Sequence, residues 1–182
     1  RILKAVSNFG GEGILTSTEH ETGTDRIVEV VEEISCTWIL NIQGDEPNIQ
    51  PADLERLIEQ TKIRKGTKAA TLIYKITNEA QLNDPNIVKV TKNLNNMAIY
   101  FSRSMIPYLR SIQSTNCTIW RHLGVYIFQR EFLLEYSQWP RSSLEISEQL
   151  EQLRILENGE TLLCVEAENE SVGVDVPQDL VY

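Results

Sequence analysis

The stretch WILNIQGDEPNIQPADLERLIEQTK, residues 38–62, decides the fold class. Residues 38–43 form a continuous, mostly apolar run, as expected of a strand buried on both faces. Gly44-Asp45-Glu46-Pro47 follows, with strong turn chemistry. Pro51 fits the first position of a helix over residues 52–62, where its missing N–H leaves no bond unmade. Strand, polar turn and helix in succession are the unit from which α/β sheets are assembled.

The same alternation extends in both directions. Upstream, Thr22-Gly23-Thr24-Asp25-Arg26 reads as a helix start with a hydroxyl cap and an early acid, and Ile27, Val28, Val30, Val31 and Ile34 carry its apolar face. Residues 13–16 are a strand candidate, and residues 1–9 fit a helix stopped by Gly10-Gly11. Downstream, strands are expected at 68–75, 86–91, 97–101, 119–128, 161–167 and 171–174, with Asn93-Leu94-Asn95-Asn96 joining the second and third as a hairpin. Helices are expected at 131–139 and, as one long element closed by Gly159, at 144–158; residues 108–115 read as irregular. The pattern predicts an α/β fold with a mixed, mostly parallel sheet. In open sheets of this kind ligands bind beyond the carboxyl ends of strands, where residues 43–46, Asp175 and the loop 18–26 fall.

Composition narrows the function classes. Lys plus Arg number 17 and Asp plus Glu 26 in 182 residues, giving a net charge of −9. No basic field is available for a nucleic-acid backbone, so no nucleic-acid partner is expected. No apolar run approaches the ~20 residues of a membrane span, and no signal peptide is visible, so a cytoplasmic protein without a membrane partner is expected. Cys36, Cys117 and Cys164 are far apart, and His20 and His122 do not sit at zinc spacing from them; they read as reduced thiols. A helix that opens at the first residue, and a new helix announced by Pro177 just before the last, read as one domain over residues 1–182, truncated at its start and slightly at its end.

Four clusters could carry chemistry. Asp45 and Glu46 put two carboxylates in a rigid turn after a buried strand, with Gly44 permitting close approach. That suits a hard cation such as Mg²⁺, held by one or two carboxylates plus substrate phosphates; a solvated turn capped by Asp45 is the alternative. Asp175, at a second strand end, could share the cation or merely cap the helix that follows. Along residues 121–126, His122, Gly124 and Tyr126 share one face, leaving room for a ligand, unless His122 is simply a satisfied interior histidine. Glu151 and Gln152 lie on a helix whose polar side would ordinarily face solvent.

Taken together and in order, these clusters resemble the 3-deoxy-D-manno-octulosonate (KDO) cytidylyltransferases. The matching motifs are Gly23-Thr24-Asp25-Arg26, Asn41-Ile42-Gln43-Gly44-Asp45-Glu46-Pro47, Tyr100-Phe101-Ser102-Arg103, His122-Leu123-Gly124-Val125-Tyr126, Leu150-Glu151-Gln152-Leu153-Arg154 and Gly173-Val174-Asp175, spread over essentially the whole chain. The resemblance implies a Rossmann-like nucleotidyltransferase fold, a homodimer, and CTP plus KDO converted with Mg²⁺ to CMP-KDO and pyrophosphate for lipopolysaccharide synthesis. It implies that Asp45 and Asp175 are catalytic and hold the metal. His122, Tyr126, Glu151, Gln152 and Arg103 would bind the sugar, Arg103 through its carboxylate. Gly23, Thr24 and Gln43 would lie at the cytidine.

Two departures from the family pattern carry expectations. The family's opening strand and its basic, glycine-containing phosphate loop would precede Arg1, so residues 1–182 alone are expected to be weakly active or inactive. Val176 stands where the family has a capping Thr, which is expected to loosen the last helix by about 1 kcal/mol. The competing readings are a cytidylyltransferase for amino-KDO or N-acylneuraminate, and a non-catalytic paralogue kept for sugar binding or dimerisation.

Overall fold

A computed structural model describes residues 1–20, 22–110, 117–171 and 173–174. In chain order these form α1 (Ile2–Asn8), α2 (Gly23–Glu33), β1 (Trp38–Ile42), α3 (Pro51–Ile63), β2 (Ala69–Lys75), a 3₁₀ turn (Glu79–Asn83), β3 (Lys89–Lys92) and β4 (Ala98–Ser102). They continue with β5 (Trp120–Gln129), α4 (Arg130–Tyr136), α5 (Ser143–Glu148), α6 (Leu153–Glu157) and β6 (Leu163–Glu166). The local signals hold where they were strongest. Thr22 Oγ1 accepts the Asp25 N–H at 3.1 Å and starts α2, and Pro51 opens α3. The chain turns back at Asn93–Asn96, with Asn96 left-handed, to pair β3 with β4.

The sheet runs β4-β3-β5-β2-β6, with β1 also on β5. The sheet is mixed, as expected, but its parallel character lies in strand direction rather than in neighbour pairing. β1, β2 and β3 are each antiparallel to β5, and β6 is parallel to β2, so β1, β2, β3 and β6 point one way and β4 and β5 the other. The β1-α3-β2 crossover therefore joins two strands of like direction with β5 inserted between them. This insertion carries the first half of β5 past the carboxyl end of β1, where it pairs with β3.

Alternation along β5 separates two cores. Leu123, Val125 and Ile127 join Leu57 of α3, while Tyr126 and Phe128 join Val28 and Val31 of α2, Phe132 of α4 and Leu153 of α6. Helices thus cover both faces, which is why β1 and β5 are apolar along both.

Three expected elements differ. Residues 13–16 form no strand; residues 13–15 lie exposed, with Leu15 at 79%. The helix expected over 144–158 is two short helices, broken at Gln149, whose φ is 54°. Of the strand expected at 171–174, the described residues Ser171, Gly173 and Val174 belong to no strand, because their polar groups are taken by the Asp45-Glu46 turn: Val174 N–H donates to the Asp45 carbonyl at 2.7 Å. Asp175, Val176 and residues 111–116 lie outside the described residues.

Candidate active site

Beyond the carboxyl end of β1 lies a cleft of about 1270 Å³. Its walls are the start of α2, the Gln43–Glu46 turn, the face of β5 bearing His122, Gly124 and Tyr126, and the turn at 149–152. Each wall was flagged by a different stretch of sequence, and the β5 insertion brings them together.

The β1 turn divides its two carboxylates between two tasks. Glu46 is held by protein: Oε1 accepts the Gly124 N–H at 3.1 Å and Oε2 accepts the Ser171 hydroxyl at 2.7 Å. It bolts the turn to β5 and to the segment after β6. Asp45 Oδ1 is buried and has no partner among the described residues. A buried carboxylate oxygen without a donor costs about 1–3 kcal/mol or more, so its persistence points to a ligand. A cation fits that oxygen. Among the described residues no group of three His, Cys, Asp or Glu side chains could hold a metal alone.

Opposite stand Glu151 and Gln152. Glu151 accepts the Thr24 N–H at 3.4 Å from the start of α2 and the Gln43 amide at 3.5 Å. Burial raises its pKa, opposed by hydrogen bonds from Thr24. Gln152 is 3% exposed, and its Nε2 is buried without a partner among the described residues, a second unfilled polar atom in the cleft wall. A Cβ on Gly124 would lie 3.0 Å from Gln43 Oε1, so the Gln43 amide would have to give way.

His122 is oriented from beneath. Thr71, at the β2 bulge, donates its hydroxyl to the Val125 carbonyl at 2.8 Å and meets His122 Nε2 at 2.9 Å. With that hydroxyl proton committed, Nε2–H must donate to Thr71, leaving Nδ1 as an acceptor. Phe101 and Tyr126 flank the ring at 5.3 and 5.2 Å. Burial pushes its pKa down to about 3, so the imidazole is neutral at pH 7. The sign for stability follows from the unfolded value near 6.5. Between pH 6.5 and 3 the unfolded chain binds the extra proton, so this contribution is complete above pH 6.5 and is lost as pH falls. His122→Asn should remove about 2 kcal/mol of the acid destabilisation at pH 5, seen in urea unfolding at pH 7.5 and 5. Equal pH dependence in both proteins would refute the assignment.

The family model for cytidylyltransferases matches residues 1–162. The chain is 44% identical, over 99% of its length and 75% of the relative's, to a 3-deoxy-manno-octulosonate cytidylyltransferase of Trichlorobacter lovleyi. It is 45% identical to one of Fusobacterium nucleatum, covering 99% of this chain and 73% of that protein. The chain belongs to the cytidylyltransferase family. A solved CMP:2-keto-3-deoxy-manno-octonic acid synthetase complexed with CTP superposes on this cytidylyltransferase with a TM-score of 0.90 at 40% identity, covering 98% of this chain and 73% of that one. The inositol-1-phosphate CTP transferase of T. maritima, at 14% identity and a TM-score of 0.62 over 97% of this chain and 66% of its own, shares the fold.

In this cytidylyltransferase the described members of the expected site, Gly23, Thr24, Gln43, Asp45, Arg103, His122, Tyr126, Glu151 and Gln152, lie in or beside one cleft. Asp175 lies outside the described residues. Arg103 is occupied differently from expectation, with its guanidinium on three backbone carbonyls at the rim. Sequence reasoning missed two supporting residues. Glu46 looked like a second metal-type carboxylate, and only its partners reveal a brace. Thr71 is one hydroxyl in a β-branched strand and carried no signal.

Proposed function

We propose that this chain joins CTP and KDO to give CMP-KDO and pyrophosphate. One observation carries the reading: nearly the whole chain aligns with relatives named for that transfer, and the residues flagged for sugar and nucleotide converge on one cleft. The anomeric hydroxyl of KDO attacks the α-phosphorus of CTP. A new P–O bond forms, the bond to the β-phosphate oxygen breaks, pyrophosphate leaves, and the hydroxyl proton passes to solvent. Such a reaction depends on positioning and on charge neutralisation.

Asp45, with Asp175 as its expected partner, would hold Mg²⁺. The ion would supply charge neutralisation on the phosphates and ease ionisation of the attacking hydroxyl. His122, neutral and with Nδ1 as an acceptor, receives a sugar hydroxyl rather than pairing with a carboxylate. Gln152 Nε2 and Glu151 take the sugar's polar groups, with Tyr126 behind them. Gly23, Thr24 and Gln43 lie at the cytidine. Among the described residues no helix is long and apolar enough to cross a membrane. The resemblance adds a cytoplasmic homodimer serving lipopolysaccharide synthesis.

The test is pyrophosphate release from CTP and Mg²⁺ by the whole gene product, with and without KDO. Release that requires KDO supports the reading; none from a folded protein would sink it. Gly124→Ala should raise the KM for CTP about fivefold with little change in Tm, because the new methyl displaces the Gln43 amide rather than backbone. An unchanged KM would remove Gln43 from the nucleotide site.

A further inference from the structure

Glu151 and Gln152 enter the cleft from a turn that begins at Gln149, left-handed at φ 54°, ψ 50°. A residue with a Cβ keeps that conformation only where its surroundings impose it. The turn also ends α5, so the Glu148 and Gln149 carbonyls lack helical partners. Arg103, arriving from the end of β4, supplies them. Its Nε donates to the Glu148 carbonyl at 2.8 Å and its Nη2 to the Gln149 carbonyl at 3.4 Å. The contact is reciprocal, since the Glu148 carboxylate accepts the Arg103 backbone N–H at 3.0 Å and the Ser102 hydroxyl at 2.7 Å. Arg103 is itself anchored: Nη1 donates to the Pro85 carbonyl at 2.9 Å, and its own carbonyl accepts the buried Lys89 ammonium at 2.7 Å.

We propose that Arg103 is a positioning residue for the sugar. It holds the Gln149 turn in its left-handed form, so that Glu151 and Gln152 face the cleft, instead of binding the sugar's carboxylate. A guanidinium spends three of its five N–H groups on this clamp, which a single-point ammonium could not reproduce. The inference rests on reading the cleft as the KDO site.

The two roles separate in a rescue experiment on the full chain. Arg103→Met should raise the KM for KDO about tenfold, with a smaller rise in the KM for CTP passed through the Glu151 contacts to Thr24 and Gln43, and with Tm preserved. Arg103→Lys should fall between. Gln149→Gly, which adopts the left-handed form freely, should restore most of the lost KM when added to either variant. A glycine there cannot replace a lost carboxylate ligand, so a defect without rescue overturns the proposal, as does an Arg103→Met enzyme with unchanged KM. If Arg103→Met does not fold, the Arg103→Lys pair decides. Amide exchange at Leu150 and Leu153, whose N–H groups donate to Glu145 and Leu150 within this turn, reads the same clamp without turnover. It should rise in the single variants and return in the doubles; exchange that does not move overturns the proposal. Failure of the functional reading would show separately, as a wild type that releases no pyrophosphate with KDO.

Discussion

Asp45→Asn lowers kcat by about 10³ or more while the protein stays as stable as the wild type. The size follows from several kcal/mol of metal-borne charge stabilisation at about 1.4 kcal/mol per tenfold. The intact stability follows from the structure. Asp45 Oδ1 has no protein partner among the described residues, so the substitution breaks no hydrogen bond described at that oxygen. The Asp45 contact that folding does use, its carbonyl on Val174 N–H at 2.7 Å, survives the substitution. Steady-state kinetics and urea unfolding measured together check both halves. Binding of Mn²⁺ in the presence of CTP, followed by EPR, gives a readout independent of turnover and should weaken in the variant. Near-normal turnover would remove Asp45 from the metal site. A large loss of stability would mean that its role is structural.

The largest expected effect on stability lies away from the chemistry. Arg154 and Glu145 are 2% and 1% exposed and form a two-point pair, Nε–Oε2 at 2.7 Å and Nη2–Oε1 at 2.5 Å. The guanidinium also stacks on Tyr136 at 4.6 Å and lies 3.8 Å from Asp25 in the first turn of α2. Glu145→Ala leaves a buried cation with Asp25 at 3.8 Å and the Trp139 carbonyl at 3.4 Å but no close carboxylate, and should cost about 3–5 kcal/mol. Glu145→Leu with Arg154→Met should recover much of the loss, since apolar replacement of both members removes the charges that need compensation. Denaturant midpoints of the single and double variants decide the matter. A single variant within 1 kcal/mol of wild type would mean that water or another group already solvates the pair. The pair ties α5 and α6 together on either side of the Gln149 break, so the activity of the single variants should fall with their stability.

Sequence determined the parts whose causes are local. The apolar run of β1, the turn Gly44-Asp45-Glu46-Pro47 and the proline at the start of α3 follow from neighbours a few residues apart. So do the Thr22 cap of α2 and the alternation of β5, which set His122, Gly124 and Tyr126 on one face. The ordered motifs were enough to indicate the family. The break at Gln149 was not legible, because Ile146, Leu150 and Leu153 keep an unbroken helical period with no glycine or proline between them. Arg103, 46 residues away, holds that left-handed turn. The strand expected at 171–174 misled for a similar reason: its β-branched pattern is sound locally, but the Asp45-Glu46 turn claims its polar groups from 125 residues away. Only the tertiary structure decided that β5 runs antiparallel between β1 and β2, that Glu46 braces while Asp45 stays open, and that Thr71 sets the proton on His122. Each of these depends on which long-range partner satisfies a buried polar group, and local sequence carries no record of that pairing.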